Sequence, residues 1–302
     1  MSAERTAELY ASRARSGLQR LRERTPLVNH ITNFVVMNET ANITIAAGAR
    51  PIMGHALEEA EELTALSSAL LINAGNVTYS DWNETMVRCA LLANERGIPV
   101  ILDPVGYGAT ATRTRMTNRI LREAKVDVIR GNRGEIGRLS GLGGEVSGVD
   151  AVGEQPEAAL AAKTLAREYG AVVAVGGARD VVSDGESVWE VASGHELLTA
   201  LTGTGCMATS VIAAWLAATE ADTSNRQSSY FEAALFALSH YRIAAAQAGR
   251  TPAGSRGPGS FLSSLIDAVY NLSPAELERS FPSQPVEEKR TDRSGEVADV
   301  RA

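Results

Sequence analysis

Residues 81–106 read DWNETMVRCALLANERGIPVILDPVG. The first part, Asp81–Arg96, has the apolar spacing of an amphipathic helix, and Gly97 follows where helices commonly end on a left-handed residue. The next part, Val100–Leu102, is apolar without alternation, which is typical of a strand buried on both faces. The stretch therefore predicts a helix, a tight helix end and a buried strand, the repeating unit of an α/β protein.

The same kind of apolar run recurs at Ala69–Ile72, Val126–Ile129 and Val172–Val175. Short buried strands separated by helical stretches form parallel sheets with right-handed crossovers. We therefore predict an α/β fold with a doubly wound, mostly parallel sheet flanked by helices. After these strands a β-hairpin is predicted to turn on Asp184-Gly185, and the rest of the chain to about residue 272 is mostly helical in pattern.

The chain divides into three parts by pattern. Residues 1–24 predict an N-terminal amphipathic helix, and residues 25–280 predict one domain without repeats or a linker. Residues 281–302 are mostly polar and charged. We expect them to form a disordered tail, because too few apolar side chains are present to offset the entropy of ordering.

Composition excludes several classes of protein. The 302 residues carry a net charge of -7, whereas nucleic-acid binding needs clustered positive charge. The two cysteines give no disulfide framework, and neither a signal peptide nor an apolar run of about 20 residues is visible. We therefore expect a cytoplasmic protein that binds neither nucleic acid nor membrane. Only three of the 29 basic residues are lysines, so cations at a site are expected to be arginines.

Polar side chains follow the predicted strands at the points where the strands end. They are Asp103, Arg130, Asn132, Glu135 and Asp180. Ligands of open α/β sheets bind beyond the carboxyl ends of the strands, so we expect this set to share one site. Asn132 and Glu135 also have the spacing of a helix N-cap pair, and for Asn132 alone we favour that structural role.

A glycine loop, residues 202–206 (TGTGC), precedes a long apolar helical stretch. Glycines at a helix N-terminus expose backbone N–H groups that can bind an anion such as a phosphoryl group. The alternative is a tight loop whose small residues allow close helix packing. Cys206 in this position is expected to have a lowered pKa, because the helix dipole stabilises a thiolate. No P-loop motif is present, so a P-loop enzyme is excluded.

Five motifs in order resemble the hydroxyethylthiazole kinase family. Residues 32–42, TNFVVMNETAN, are similar to its I-T-N-x-V-x-x-N-x-x-A-N segment, and the other four are AAGARPIM (46–53), LDPVG (102–106), RGNRGEI (130–136) and TGTGC (202–206). The resemblance covers roughly residues 25–270. It implies a ribokinase-like fold, transfer of the ATP γ-phosphate to the primary alcohol of 4-methyl-5-(2-hydroxyethyl)thiazole for thiamine phosphate synthesis, and a homotrimer with active sites between subunits.

The resemblance also implies a role for each site residue. Asp103 and Glu135 would organise Mg²⁺, partly through waters. Arg130 would contact the ATP phosphates, with Asn132 and Gly176 also on the nucleotide side. Gly203, Gly205 and Cys206 would form the catalytic anion hole, with Cys206 where most of the wider superfamily has aspartate. Met53 and Gly203 would line the thiazole site, with Asn33 close by.

One departure bears on the nucleotide. The family usually has a threonine that contacts the nucleotide where this chain has Gly176, so we predict weaker ATP affinity. Three alternatives stay open: a kinase for another vitamin-type alcohol such as a hydroxymethylpyrimidine or pyridoxal, a non-catalytic thiazole- or nucleotide-binding protein, and a ribokinase-like dehydratase of damaged nicotinamide cofactors.

Overall fold

A computed structural model describes residues 3–75, 80–143, 155–221 and 225–286 of the chain. In these residues nine strands form one sheet in the order β2-β1-β3-β4-β5-β6-β7-β8-β9. The strands are β1 Leu27–Ile31, β2 Arg50–Ile52, β3 Ala69–Asn73, β4 Val100–Asp103, β5 Val128–Asn132, β6 Val172–Gly176, β7 Asp180–Ser183, β8 Val188–Val191 and β9 Ser283–Pro285. Strands β1 to β6 are parallel to one another, and β7 to β9 add antiparallel pairs at the β6 edge.

Helices cover both faces of the sheet. They are α1 Ala3–Arg24, α2 Met37–Ala47, α3 Ala60–Leu66, α4 Ser80–Arg96, α5 Ala111–Glu123, α6 Arg133–Leu139, α7 Gln155–Tyr169, α8 Thr204–Ala218, α9 Arg226–Arg250, α10 Pro258–Asn271 and α11 Pro274–Arg279. Helices α1, α2 and α8 to α11 pack in one hydrophobic core, and α3 to α7 pack in the other.

The alternation of side chains along each strand explains why the strands are apolar throughout. In β3, Leu71 belongs to the first core while Leu70 and Ile72 belong to the second. Successive side chains of a strand point to opposite faces, so a sheet covered on both faces needs apolar residues at every position. The prediction of a doubly wound, mostly parallel sheet is confirmed.

The sheet order creates a switch in winding direction between β1 and β3. From β1 the chain moves outward to β2, and it then crosses back to β3 on the other side of β1. Beyond the carboxyl ends of two strands that wind in opposite directions a crevice is left open, which is where such sheets bind ligands. The residues that follow β1 and β3 are therefore placed at a ligand-binding position by topology.

The predicted strands correspond to β3, β4, β5 and β6, and the predicted hairpin to β7 and β8. Gly97 ends α4 with φ +70°, as expected. Two strands carry no clear signal in the sequence: β1, whose five residues include Asn29 and His30, and β2, which has only three residues. The glycine loop overlaps its helix and does not wholly precede it, because α8 begins at Thr204 with Gly203 as its N-cap.

The prediction of a disordered tail from residue 281 is wrong for its first residues. Ser283–Pro285 forms β9 and pairs with β8. Ser283 is buried, and its hydroxyl hydrogen-bonds to Ser239 on α9 at 2.8 Å. Backbone pairing, not side-chain hydrophobicity, orders this segment, so composition gave no signal for it. Residues 287–302 lie outside the described residues.

Candidate active site

A cavity of about 1320 Å³ opens at the carboxyl edge of the sheet. Ten of the residues proposed from sequence line it: Asn33, Asp103, Arg130, Asn132, Glu135, Gly176, Asp180, Gly203, Gly205 and Cys206. Residues at the carboxyl ends of β4, β5 and β6 therefore line one cavity, together with the N-terminus of α8. Met53 does not line this cavity. It follows β2 near the sheet edge, where its carbonyl lies 3.2 Å from Nδ1 of His55.

Asp103 ends β4 and is almost completely buried. Its Oδ2 accepts hydrogen bonds from the Thr209 hydroxyl at 2.7 Å and from Nδ2 of Asn73 at 3.3 Å. Burial raises the pKa of Asp103 from 3.8 to about 7, although the nearby positive charge of Arg130 opposes that shift. A buried carboxyl group with so few donors is a strong potential ligand for a cation.

Glu135 forms a capping box with Asn132 at the start of α6. The Asn132 side chain accepts from the backbone N–H of Glu135 at 2.9 Å, and Oε2 of Glu135 accepts from the N–H of Asn132 at 2.9 Å. Its Oε1 accepts from the N–H of Gly106, after β4, at 2.8 Å. The structural role favoured for Asn132 is confirmed. Each Glu135 oxygen retains a lone pair that can accept from a water in the cavity.

The guanidinium group of Arg130 lies between two glycines. A Cβ atom built on Gly176 would collide with Nη2 of Arg130, and one built on Gly205 would lie 2.5 Å from Nη1. Nε of Arg130 is buried and has no hydrogen-bond partner among the described residues. Glycine at position 176 thus leaves space that the arginine occupies, and the guanidinium reaches across to the glycine loop.

The glycine loop forms an uncapped helix N-terminus. Gly203 is the N-cap of α8 with φ +83°, and no side chain caps it. The first helical hydrogen bond joins the Met207 N–H to the Gly203 carbonyl at 2.8 Å, so the amides of residues 204–206 precede the hydrogen-bonded turns. Such amides and the helix dipole favour an anion. The Tyr241 hydroxyl fixes this turn by donating to the Thr204 carbonyl at 3.0 Å.

The expectation of a lowered pKa for Cys206 is wrong. The protein atoms around its sulfur raise the pKa to about 12, and the negative charge of Asp103 adds to this effect. Nδ2 of Asn73 lies 3.1 Å from Sγ but is too weak a donor to reverse the shift. Desolvation outweighs the helix dipole because a thiolate here would stand beside a carboxyl group in a buried site. Cys206 is therefore a neutral thiol at neutral pH.

Four residues of the site were not predicted from the sequence: Asn73, Thr209, Tyr241 and Arg242. Asn73 ends β3, so the reasoning that identified Asp103 would also have identified it. Its Oδ1 accepts from Nδ2 of Asn33 at 2.9 Å, which joins the ends of β1 and β3. The other three lie inside helices, where no local pattern distinguishes them from packing residues.

No metal ligand cluster is prebuilt: the described ranges contain no group of three or more His, Cys, Asp or Glu side chains that could hold a metal ion. They also contain no helix long and apolar enough to cross a membrane. Asp103 and Glu135 still fit a magnesium ion, because Mg²⁺ is usually held by one or two carboxylates with waters and substrate phosphates.

The chain is similar to known proteins over most of its length. The sequence profile described as the hydroxyethylthiazole kinase family matches residues 18–275. A relative named hydroxyethylthiazole kinase, from Desulforudis audaxviator (strain MP104C), is 48% identical over 262 residues, which cover 87% of this chain and 92% of the relative.

Solved structures agree with the sequence relatives. A structure of hydroxyethylthiazole kinase protein from Pyrococcus horikoshii OT3 is 42% identical, with a TM-score of 0.79 over 91% of this chain and 99% of that one. A ribokinase-like superfamily protein from Enterococcus faecalis V583 is 13% identical, with a TM-score of 0.56 over 84% of this chain and 89% of that one, and shows the fold alone. The ribokinase-like fold is thus confirmed, and the chain belongs to the hydroxyethylthiazole kinase family.

Proposed function

We propose that this chain transfers the γ-phosphoryl group of ATP to the primary alcohol of 4-methyl-5-(2-hydroxyethyl)thiazole. The observation that carries the proposal is the convergence of Arg130, Asp103 and the uncapped N-terminus of α8 on one cavity. Phosphoryl transfer needs positioning and charge stabilisation above all, and these groups supply both. The product would feed thiamine phosphate synthesis, and the reaction would take place in the cytoplasm.

The sheet order supports separate places for the two substrates. The glycine loop lies at the centre of the cavity. Asn33, Val36 and Gly75 line the side that follows β1 and β3, at the switch in winding direction. Gly177–Asp180, Ala192–Glu196 and Leu198–Leu201 line the opposite side, around β7 and β8. We assign the thiazole alcohol to the first side and the nucleotide to the second, so that the reacting groups meet at α8.

Asp103 and Glu135 are the residues that would hold Mg²⁺. Asp103 offers a buried carboxylate directly, and Glu135, whose oxygens already accept backbone N–H groups, would act through waters. Mg²⁺ when bound would neutralise the charge on the phosphates. It would also favour ionised Asp103, because a nearby cation lowers the pKa of a carboxyl group.

The chain's own groups would promote the transfer in three ways. Amides of residues 204–206 and the Arg130 guanidinium would stabilise the moving phosphoryl group, while the alcohol oxygen bonds to phosphorus and the bond to the ADP oxygen breaks. The neutral Cys206 thiol would pack beside the alcohol without removing its proton at an early stage. A loose transition state loses that proton late, when an oxygen of the transferred phosphoryl group can accept it, so a strong base is not needed and a modest rate is expected.

A homotrimer with active sites between subunits is part of the proposal. Phe34, Val35 and Ile45 have 57%, 65% and 56% of their surface exposed, and Val35 lines the cavity. Trp82 packs between Phe34 and His55 and supports this apolar face. Contact between copies would cover these side chains. Met53 does not line the cavity of its own chain, so we infer that it would contact thiazole only across such an interface.

The test is ADP release with MgATP and three alcohols: the hydroxyethylthiazole, a hydroxymethylpyrimidine and pyridoxal, with the mass of each product measured. Phosphorylation of the thiazole at much the highest kcat/KM is the expected result. Preferred phosphorylation of another alcohol would contradict the substrate assignment but not the kinase chemistry. Binding of the thiazole with no turnover of any alcohol would contradict the catalytic proposal and indicate a binding protein.

A further inference from the structure

Arg242 is a buried arginine in the middle of α9. It connects this helix to two loops on the side of the cavity that is assigned to the nucleotide. Its Nη2 donates to the carbonyls of Gly177 at 2.9 Å and Ala178 at 2.5 Å. Its Nε lies 3.4 Å from Oδ2 of Asp180. The side chain is only 9% exposed, so these contacts form largely away from water.

Asp180 contacts Arg242 and also stabilises the turn between β6 and β7. While Oδ2 faces Arg242, Oδ1 accepts from the backbone N–H of Gly177 at 3.1 Å. One carboxylate thus closes the turn on itself and attaches it to α9. The two carbonyls that Arg242 binds belong to the same turn, and both would lack their charged partner if the guanidinium were removed.

A second loop is held against the same guanidinium. Gly194, after β8, has φ +125°, and a Cβ atom on it would lie 3.0 Å from Cζ and Nη1 of Arg242. Ser193 donates from its hydroxyl to the Arg242 carbonyl at 3.4 Å. Only glycine allows both this backbone conformation and this close approach. Residues 177–180 and 192–194, which form two walls of the cavity, therefore meet at one side chain.

We propose that Arg242 is a positioning residue for ATP: it fixes the Gly177–Asp180 turn and the loop at Gly194 at the separation that the nucleotide requires. This inference rests on the nucleotide site proposed above. The contacts of Arg242 described above are with the Gly177–Asp180 turn and the loop at Gly194 and not with Asp103 or the glycine loop, so its loss is expected to weaken nucleotide binding more than it slows phosphoryl transfer. Lysine is a poor substitute, because one ammonium group cannot span two carbonyls and a carboxylate with the geometry of a planar guanidinium.

Arg226 is a matched control on the same helix. Its Nε lies 3.3 Å from Oδ1 of Asp127 and its Nη2 donates to the Gly97 carbonyl at 3.1 Å, so it too pairs with a carboxylate and a carbonyl. Those partners lie at the amino end of the sheet, and none of the three residues lines the cavity. Removing Arg226 should cost stability without affecting either substrate.

The experiment measures ATP affinity by calorimetry in the absence of alcohol, and KM for each substrate, for the full-length wild type, Arg242→Met, Arg242→Lys and Arg226→Met. We expect ATP affinity to fall at least about tenfold in Arg242→Met, with KM for the alcohol within about twofold of wild type and a smaller loss in Arg242→Lys. Arg226→Met should change only the melting temperature. If Arg242→Met does not fold, Asp180→Asn with Arg242→Lys gives the same comparison.

Unchanged ATP affinity in the folded Arg242 variants, or equal changes in both KM values, would overturn the positioning role. Failure of the wild type itself to bind ATP would instead contradict the proposed nucleotide site, so the two ideas fail differently.

Discussion

The sulfur of Cys206 lies 3.1 Å from the side-chain amide of Asn73, and the same amide nitrogen lies 3.3 Å from Asp103. One amide group therefore lies beside both a partly exposed thiol and a buried carboxyl group, next to the glycine loop. Neither group can be charged without affecting the other, because they share this donor and a negative charge on Asp103 raises the pKa of the thiol. The centre of the cavity is built to keep the thiol protonated.

Cys206 is expected to resist alkylation. With a pKa of about 12 its thiolate fraction at pH 8 is roughly one in ten thousand, and thiolate is the reactive form. Iodoacetamide at pH 8 should therefore modify the native protein far more slowly than free cysteine, as measured by mass spectrometry of the Cys206 peptide. Unfolding in urea should make both cysteines react rapidly. Fast modification of Cys206 in the native chain would mean that its pKa is not raised.

Asp103→Asn is expected to stabilise the magnesium-free protein at alkaline pH. The pKa of Asp103 is raised from 3.8 to about 7, so its contribution to stability is complete below pH 3.8 and is lost as the pH rises through about 7. Asparagine mimics the protonated form at every pH. The melting temperature of the variant in EDTA should exceed that of wild type at pH 8, and the difference should shrink towards pH 4.

The same substitution should lower kcat at least about a hundredfold with magnesium present, because it removes the carboxylate that would hold the cation. Asp127→Asn is the control, since Asp127 is also buried but lies at the amino end of β5 and accepts from the Val100 N–H at 3.0 Å. Its kcat should remain that of wild type. Loss of activity in both variants would indicate a general effect of removing buried charge.

Gly176→Thr introduces the residue that the family usually has at this position, but it should weaken ATP binding in this chain and not strengthen it. The threonine side chain would occupy the volume of the Arg130 guanidinium and displace it from the glycine loop. We expect kcat/KM for ATP to fall about tenfold or more, measured with saturating alcohol. Gly259→Ala is the control, because a Cβ atom there meets nothing within 4 Å. A gain in ATP affinity would show that Arg130 has another position to occupy.

Gly203→Val should abolish activity. Gly203 has φ +83°, and a Cβ atom on it would lie 2.6 Å from Cγ1 of Val36, so valine would push the loop away from the alcohol side of the cavity. Gly141→Ala is the control that introduces backbone strain without a collision, because φ is +70° there but no residue that the structure describes comes within 4 Å of a Cβ atom. Each variant should lose about 1 kcal/mol of stability or more in urea unfolding, but only the first should lose turnover.

The sequence was most informative where strands end. A run such as Val100–Leu102 predicts both its strand and the edge at which Asp103 lies, because parallel strands share their direction. Asn73 follows by the same logic and was overlooked. Arg242 could not be found in this way, because its partners are 64 and 65 residues away and are backbone carbonyls that any sequence provides.

The error over Cys206 has a different cause. A helix N-terminus is a local feature and can be recognised from TGTGC, whereas desolvation depends on what the rest of the chain packs around the sulfur. Asn73 and Asp103 approach Cys206 from strands more than a hundred residues earlier. The sign of a pKa shift in a buried site is thus a property of tertiary packing, which a local motif does not contain.

Strand β9 determines where the chain can be truncated, or a tag attached, without exposing the edge of the sheet. An unpaired strand edge can pair with the same edge of another molecule and lead to aggregation, and β9 occupies that position along β8. Deleting residues from 283 onward would leave the backbone groups of Trp189, Glu190 and Val191 unpaired on that side. Shortened versions of the protein should therefore end after residue 286, and an affinity tag is better joined beyond that point.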